Sequence, residues 1–271
     1  MNIIIPMAGN GERFVEAGYR DPKPLIMVRG KRVIEYVVDM FDRQNDNFTF
    51  ICNSDHIKEN IHMKEILGEL VTNCTIKVIS PHKLGPVFTI IQASTGLESD
   101  EPMIVSYCDT AVVWDYKDFK SFVKDLDGCI VSHTGFHPHT LGSTIMAYSK
   151  TDGNKVIEIK EKECYTNNKF DEHASSGIYY FRKGNYIKYF YQLMDKGITY
   201  NGEYYVTLVY NLMIQDNLSV YSYLNEYTLS FGNPIDIKNF EAWQTILDEE
   251  QVKNSIDVIK CYNYWKYCNQ C

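Results

Sequence analysis

The chain has 271 residues, of which 45 % are hydrophobic and 23 % are charged, and its formal net charge is −8. This is the composition of an ordinary globular domain, and the acidic balance disfavours a nucleic-acid surface, which needs clustered Lys and Arg. No apolar stretch approaches the roughly 20 residues that span a bilayer, and the amino terminus lacks the features of a signal peptide. We therefore expect a cytoplasmic protein whose partners include neither nucleic acid nor a membrane.

The first 108 residues alternate between predicted strands and predicted helices. Short apolar runs predict strands at 2–6, 48–53, 75–80 and 102–108, and apolar residues at helical spacing predict helices at 32–43, 55–70 and 87–97. This alternation is typical of a doubly wound sheet of parallel strands. Ligands of such sheets bind at the carboxyl ends of the strands. We therefore expect residues 7–14 and 106–110 to face one cleft.

The second half of the chain has a different pattern. Residues 129–135, 143–149, 155–162 and 175–182 look like strands that need not be parallel, and helices are predicted near 184–196, near 203–216 and from Pro234 onwards. The predicted fold is a single α/β domain. Its Rossmann-like sheet is mixed but mostly parallel, is flanked by helices, and is followed by a helical carboxyl terminus.

Eight cysteines are present, and in a cytoplasmic protein they default to free thiols. Cys268 and Cys271 form a Cys-x-x-Cys pair close to the end of the chain. A structural zinc site needs four ligands, and the sequence places neither a histidine nor a second such pair nearby. We therefore do not expect a metal at this pair.

The loop after the first predicted strand contains Gly9 and Gly11. A dinucleotide-binding fingerprint would need a third glycine where Phe14 stands, and the P-loop motif is absent. What remains is a long polar loop with Arg13 and with Lys23, which lies between two prolines. Bare amides, a guanidinium and an ammonium on one loop predict a site for several phosphates. The alternative is an ordinary solvated surface loop.

Gly-x-Gly-x-Arg followed by Pro-Lys, directly after a first strand, resembles the nucleotidyltransferases that activate sugar phosphates (nucleoside-diphosphate-sugar pyrophosphorylases) and the phosphocholine-type cytidylyltransferases. Four further stretches match in order and spacing, namely "YCD", "IKEKE", "SSGIYYF" and "FGNPID". The resemblance covers most of the chain and implies a nucleotide-diphospho-sugar transferase (GT-A-like) fold. It implies a nucleotidyltransferase catalytic domain at 1–235 and a helical extension packed on it at 236–271. Glu12 departs from the family's frequent Thr or Ser, so its carboxylate must point away from a triphosphate or meet a cation.

The resemblance also implies roles for individual residues. The residues implied to bind the nucleotide are Ala8, Gly9, Gly11, Gly85 and Asp109, and those implied to be catalytic are Arg13, Lys23 and Lys162. The residues implied to bind the acceptor are His137, Lys162, Gly177 and Glu203. The expected cofactor is Mg²⁺, and its implied ligands are Asp109 and Asp236. His137 and His139 are expected to form a polar wall of the acceptor pocket, because a zinc site at this pair lacks visible partners in the sequence.

Four of these roles have a plain structural alternative. Asp109 would otherwise be a cap or turn residue, and Asp236 would be the cap of the last helix. Lys162 would be one of a run of solvated charges, in which Lys160 is the rival phosphate ligand. Glu203 would be a first-turn carboxylate that favours the helix dipole.

The implied reaction is attack of a phosphate monoester on the α-phosphorus of a nucleoside triphosphate, with release of pyrophosphate. Likeness to small family members favours transfer of CMP from CTP to a sugar phosphate or non-sugar phosphate, for capsule or surface polysaccharide synthesis. One rival is a glycosyltransferase, which would show Asp-x-Asp where Cys108–Thr110 stands. The other is an inactive regulatory homologue, which is disfavoured because the sequence has all of Arg13, Lys23, Asp109 and Asp236. An aromatic content of 14 % leaves room for a homo-oligomer.

Overall fold

The computed structural model describes residues 1–141 and 146–248. The pair Cys268 and Cys271 lies outside these ranges, as does the predicted helical extension beyond residue 248. The start of the strand predicted at 143–149 also lies outside them.

Thirteen strands and nine α-helices form within the described part of the chain. The strands are β1 (Asn2–Met7), β2 (Met27–Val28), β3 (Lys31–Arg32), β4 (Asn47–Asn53), β5 (Asn73–Ile79), β6 (Met103–Ser106), β7 (Thr110–Val113), β8 (Gly128–His133), β9 (Ala147–Asp152), β10 (Lys155–Glu161), β11 (His173–Phe181), β12 (Val220–Leu224) and β13 (Tyr227–Ser230). The helices are α1 (Glu12–Glu16), α2 (Val33–Val38), α3 (Ser54–Glu59), α4 (Met63–Leu70), α5 (Pro86–Gln92), α6 (Tyr116–Phe122), α7 (Lys188–Asp195), α8 (Val206–Gln215) and α9 (Pro234–Asp248).

Nine of these strands form one mixed sheet in the order β5-β4-β1-β6-β11-β8-β12-β10-β9. Neighbouring strands from β5 to β6 are parallel, which confirms the doubly wound first half. In the second half β11 is antiparallel to both β6 and β8, β12 is parallel to β8, and β10 is antiparallel to β12 and β9. The β7–β13 and β2–β3 pairs stand apart from this sheet.

The central strand β1 shows why its sequence is a continuous apolar run. Side chains alternate across a strand, so Ile3 and Ile5 pack in one layer with Val37 of α2. Ile4 packs in the opposite layer with Val209 of α8. All three isoleucines are at most 1 % exposed, and burying each side chain contributes about 1.5–3 kcal/mol. Helices therefore cover both faces of the parallel strands.

Some predicted elements have other boundaries in the structure. The helix predicted at 55–70 is two helices, α3 and α4, because the backbone at Asn60 (φ −120°, ψ 87°) is not helical. The helix predicted at 32–43 is the shorter α2. Strands β7 and β13 were not predicted. They pair antiparallel over four residues each, from Thr110 opposite Ser230 to Val113 opposite Tyr227, and four residues are too few for an alternating pattern to stand out.

Helix α9 agrees with the predicted helical carboxyl terminus. Its first turns share the core of the rest of the chain: Ile237 is buried, and the ring of Phe240 lies 5.2 Å from Phe231 and 5.8 Å from Tyr36 between centroids. The domain boundary at residue 235 stays a prediction. Across the described ranges, none of the helices has the length and apolar character needed to cross a membrane.

Gly128, at the start of β8, has no room for a side chain. A Cβ there would lie 2.7 Å from Cε1 of Tyr210, and that buried ring is held by hydrogen bonds from its hydroxyl to the carbonyls of Cys129 and Tyr180. We expect Gly128→Ala to lower the free energy of unfolding by about 1–3 kcal/mol in urea denaturation. The control is Gly68→Ala in α4, where a Cβ meets nothing within 4 Å and should add about 0.5–1 kcal/mol. An unchanged midpoint for Gly128→Ala would contradict the predicted clash.

Candidate active site

A cavity of about 450 Å³ opens at the carboxyl ends of the parallel strands. Its walls include Ala8–Phe14 after β1 and Tyr107–Asp109 after β6, together with Lys23, Lys162 and Glu203. Open α/β sheets bind their ligands at this edge. The two stretches predicted to share a cleft therefore line the same cavity.

Two hydrogen bonds from β4 hold the glycine loop in place. Asn53, buried at the carboxyl end of β4, donates from Nδ2 to the Ala8 carbonyl at 3.2 Å and to Oδ1 of Asn10 at 3.3 Å. Gly11 has φ +66°, a left-handed conformation that glycine adopts without steric cost. Nothing lies within 4 Å of the position of a Cβ at Gly9. The loop thus presents bare backbone to the cavity, as phosphate-binding loops do.

Lys23 and Asp109 form an ion pair in the cavity wall. Nζ of Lys23 donates to Oδ2 of Asp109 at 2.6 Å, and the two side chains are 22 % and 20 % exposed. Burial is the largest single influence and lowers the pKa of Lys23, but the charge and hydrogen bond of Asp109 and the charge of Cys108 together outweigh it, so the pKa is raised. The ammonium therefore stays charged at neutral pH. Arg13 lines the same cavity and supplies a second cation.

Asp236 and Asp109 both approach the position of a Cβ at Gly232. A Cβ at Gly232 would be 3.5 Å from Oδ2 of Asp109 and 3.7 Å from Oδ2 of Asp236. Asp236 is buried and accepts a hydrogen bond from Ser230 Oγ at 2.7 Å. Burial raises its pKa, and the negative charge of Asp109 raises it further, although the hydrogen bond offsets part of this effect.

These two carboxylates fit a hard divalent cation. Mg²⁺ takes few carboxylates and completes its coordination with water or phosphate oxygens, so two ligands from the protein suffice. No group of three or more His, Cys, Asp or Glu side chains within 1–141 and 146–248 is arranged to hold a metal ion. The Mg²⁺ site at Asp109 and Asp236 stays a prediction.

Lys162 lines the cavity from the end of β10. Its φ is +55°, in the left-handed region that few residues other than glycine adopt, and its backbone N–H donates to the Met146 carbonyl at 3.0 Å. Nζ donates to the hydroxyl of Tyr205 at 2.6 Å and lies 5.5 Å from the ring centroid of Tyr200. Glu203 lines the same cavity. The structure therefore brings both predicted acceptor residues, Lys162 and Glu203, to this cavity.

Gly85 packs directly on the backbone of Tyr204. Its φ is +86°, and a Cβ at this position would lie 2.8 Å from both N and O of Tyr204. The Tyr204 amide donates to the Leu84 carbonyl at 2.9 Å, and the Tyr204 carbonyl accepts from the Val87 amide at 3.1 Å. Backbone contacts thus join the loop of Gly85, which is predicted to bind the nucleotide, to the segment that carries Glu203.

The contacts of the described residues bear on two of the structural alternatives, a capping role for Asp236 and the choice between Lys160 and Lys162. Asn233, and not Asp236, caps α9, because Oδ1 of Asn233 accepts from the Asp236 amide at 3.0 Å. Lys160 pairs with Glu163 at 2.7 Å and is not among the residues that line the cavity. Lys162 is therefore the lysine of this run that the cavity contains.

Gly177 lies behind the cavity wall and does not line it. It has φ +75° at an irregularity of β11, where the register with β8 shifts between Ser175 and Ile178. Its carbonyl accepts from the Tyr107 amide at 2.9 Å, and a Cβ at this position would lie 3.4 Å from Tyr107 Cβ and from Thr110 Oγ1. Gly177 therefore shapes the segment that carries Asp109. Its acceptor-binding role stays a prediction.

His137 is also absent from the cavity wall. Its ring packs against His133 and His139, with centroids 4.3 and 5.6 Å apart. Among the described residues neither of its ring nitrogens has a hydrogen-bond partner. Burial lowers the pKa of all three imidazoles, that of His139 to about 3, so they are neutral at pH 7. The predicted contact of His137 with an acceptor remains a prediction.

Comparison with known proteins decides the family. A model of the family described as "Nucleotidyl transferase" matches residues 2–227. This chain belongs to the nucleotidyl transferase family. It is 24 % identical over 249 residues to the Bifunctional protein GlmU of Methanocaldococcus jannaschii, with 92 % of this chain and 55 % of that protein covered. The chain thus spans about half the length of this curated relative.

Solved structures of similar fold are also found. The nucleoside-diphosphate-sugar pyrophosphorylase from Vibrio cholerae RC9 superposes with a TM-score of 0.70 at 20 % identity, covering 89 % of this chain and 99 % of that one. The inositol-1-phosphate CTP transferase from T. maritima gives a TM-score of 0.65 at 12 % identity, covering 92 % and 96 %. At these identities the likeness shows the fold, and it confirms the predicted architecture.

Several residues in the cavity wall were not predicted from the sequence. They include His82, Lys83 and Tyr205. None belongs to a motif, but Lys83 lies two residues before Gly85 and Tyr205 two residues after Glu203. Proximity to a predicted residue was the signal that could have found them.

Glu161, which precedes Lys162, is a buried carboxyl group that sequence reasoning also missed. Thr207 Oγ1 donates to its Oε2 at 2.5 Å. Burial raises the pKa of Glu161 to about 7, despite the hydrogen bond from Thr207 and the positive charge of Lys162, both of which lower it. The group therefore titrates near neutral pH.

This pKa predicts a pH dependence of stability. The native state binds the proton of Glu161 more tightly than the unfolded chain, whose ordinary value is 4.5. The stabilisation is complete below about pH 4.5 and is lost as the pH rises through about 7. Between pH 4.5 and pH 8 the loss of this stabilisation should lower the unfolding free energy of wild type by up to about 3 kcal/mol. Glu161→Gln cannot titrate at this position, so its unfolding free energy should lack this part of the decrease. Denaturant titrations at both pH values measure this difference.

The matched control for this experiment is Glu163→Gln, two residues away on an exposed side chain that pairs with Lys160. It should follow the wild-type pH dependence. Identical pH dependence in Glu161→Gln and wild type would contradict the prediction.

Proposed function

We propose that this protein transfers a nucleotidyl group from a nucleoside triphosphate to a phosphorylated small molecule and releases pyrophosphate. The observation that carries the proposal is the make-up of one cavity, whose wall contains the glycine loop, Arg13, Lys23 and Asp109 together with Lys162 and Glu203. Membership of the nucleotidyl transferase family supports the reaction class. Likeness in fold to an inositol-1-phosphate CTP transferase supports CTP as the donor.

The reaction needs no nucleophile from the protein. An oxygen of the acceptor phosphate attacks the α-phosphorus, the bond from that phosphorus to the oxygen bridging to the β-phosphate breaks, and pyrophosphate leaves with the bonding electrons. The protein must hold two polyanions in line and offset their charge. In this proposal Arg13 and Lys23 offset the charge of the triphosphate, and Lys162 binds the acceptor phosphate.

Asp109 and Asp236 would hold Mg²⁺, which offsets triphosphate charge when bound. Asp109 also anchors Lys23 through their ion pair, so its removal would free the ammonium as well. Gly85, braced on Tyr204, would present its backbone to the nucleobase. The hydroxyl and carboxylate of Tyr205 and Glu203 suit a polar acceptor, either a sugar phosphate or a non-sugar phosphate. A role in capsule or surface polysaccharide synthesis in the cytoplasm belongs to the same proposal.

The donor can be identified by thermal unfolding with CTP, UTP, dTTP, ATP and GTP, each with and without Mg²⁺. A ligand at about a hundred times its dissociation constant adds roughly 2.7 kcal/mol to the unfolding free energy, so the shift is readable. We expect the largest Mg²⁺-dependent rise in Tm with CTP. A shift with a nucleotide-sugar but with no triphosphate would contradict the proposal and favour a glycosyltransferase.

Once the donor is known, pyrophosphate release with a panel of phosphorylated acceptors tests Asp109. We expect Asp109→Ala to lower turnover by at least about a hundredfold, because it removes a predicted metal ligand and the partner of Lys23. Asp125→Ala changes an exposed carboxylate outside the cavity and should leave turnover unchanged. Wild-type turnover in Asp109→Ala would exclude the predicted role of this residue.

A further inference from the structure

An ion pair lies at the mouth of the cavity between two segments far apart in sequence. Nζ of Lys83 lies 2.5 Å from Oε1 of Glu12, and the two side chains are 72 % and 59 % exposed. Both residues line the cavity. Glu12 stands between Gly11 and Arg13 and is the one acidic residue of the glycine loop from Ala8 to Phe14. The pair therefore lies where a triphosphate on this loop would arrive.

An unpaired carboxylate at this position would oppose triphosphate binding. Two like charges 4 Å apart repel by about 1 kcal/mol even in bulk water, and a triphosphate carries several negative charges. The hydrogen bond and the charge of Lys83 lower the pKa of Glu12, and Glu12 raises the pKa of Lys83. Both groups are thus charged at neutral pH, and each offsets the charge of the other.

The backbone on either side of Lys83 is anchored. Nδ1 of His82 accepts from the Leu84 amide at 3.1 Å, and Nε2 lies 2.9 Å from Oγ1 of Thr89. Because Nδ1 accepts, the proton of the neutral ring belongs on Nε2, and burial keeps the ring neutral by lowering the pKa of His82. The Leu84 carbonyl accepts in turn from the Tyr204 amide. Lys83 therefore extends towards Glu12 from a braced turn.

We propose that Lys83 is a positioning residue for the nucleoside triphosphate, acting through Glu12 and not by touching the substrate. Its ammonium neutralises the Glu12 carboxylate and ties the glycine loop to the loop at 82–86, so that the triphosphate meets Arg13 and Lys23 without an opposing charge. The inference rests on the proposed function, because it takes a triphosphate as the ligand of the glycine loop.

The test is isothermal titration of CTP, and separately of inorganic tripolyphosphate, into wild type, Lys83→Met, Glu12→Gln and the double variant at low ionic strength. We expect Lys83→Met to weaken binding of both ligands about fivefold, the scale of an exposed ion pair. Glu12→Gln should bind at least as tightly as wild type. The double variant should return to within about twofold of wild type, because it has no carboxylate left to neutralise.

Lys58→Met is the matched control, because it removes an equally exposed lysine that pairs with Asp55 at 3.1 Å outside the cavity. It should bind like wild type. A double variant as weak as Lys83→Met would overturn the inference, since Lys83 would then act on the substrate itself. Unchanged binding in Lys83→Met would also overturn it. If wild type bound no triphosphate, the proposed function would fail and the inference with it; wild-type binding with an unaffected Lys83→Met would fail the inference alone.

Discussion

β1 has no free edge and no free face, and the position of the cavity depends on that constraint. β4 pairs with one edge of β1 from Asn2 to Met7 and β6 pairs with the other from Asn2 to Ile4, and Ile3, Ile4 and Ile5 are buried between two layers of helices. A shift of one residue in register would turn each of these side chains to the opposite layer. The carboxyl end of β1 is therefore held in place, and so are the glycine loop that follows it and its distance from Asp109.

The charges of the cavity are balanced locally and bear little relation to the net charge of −8. Lys23 pairs with Asp109, Lys83 pairs with Glu12, and Lys162 donates to the hydroxyl of Tyr205. Each partner holds its ammonium in a set position, and the two carboxylates also limit the cost of bringing cations together. An acidic protein can in this way hold several lysines around one cavity, because surface charges further away than about 10 Å are largely screened.

Local sequence patterns predicted the parallel half of the sheet. They also predicted that the glycine loop, the segment after β6 and Lys162 contribute to the site, and all three line the cavity. These patterns did not predict the features that depend on contacts between segments far apart in sequence. The burial of Glu161 against Thr207 and the meeting of Lys83 with Glu12 are set by the tertiary fold, and neither leaves a trace in local spacing. His137 was expected in a wall of the acceptor pocket; it is buried, and its ring packs against His133 at the end of β8, a contact that local spacing does not reveal.

The contact between Gly85 and the backbone of Tyr204 has a consequence for how this protein could be redesigned. Residues 84–87 and 203–205 are held together by hydrogen bonds between main-chain atoms, so they form one unit, although 115 residues and several strands separate them. Replacing only one of these segments with that of a relative would break the unit. The replacement would have to keep the glycine at position 85 and the backbone conformation that contacts the other segment. Loop exchange in this scaffold is therefore an exchange of two segments at once.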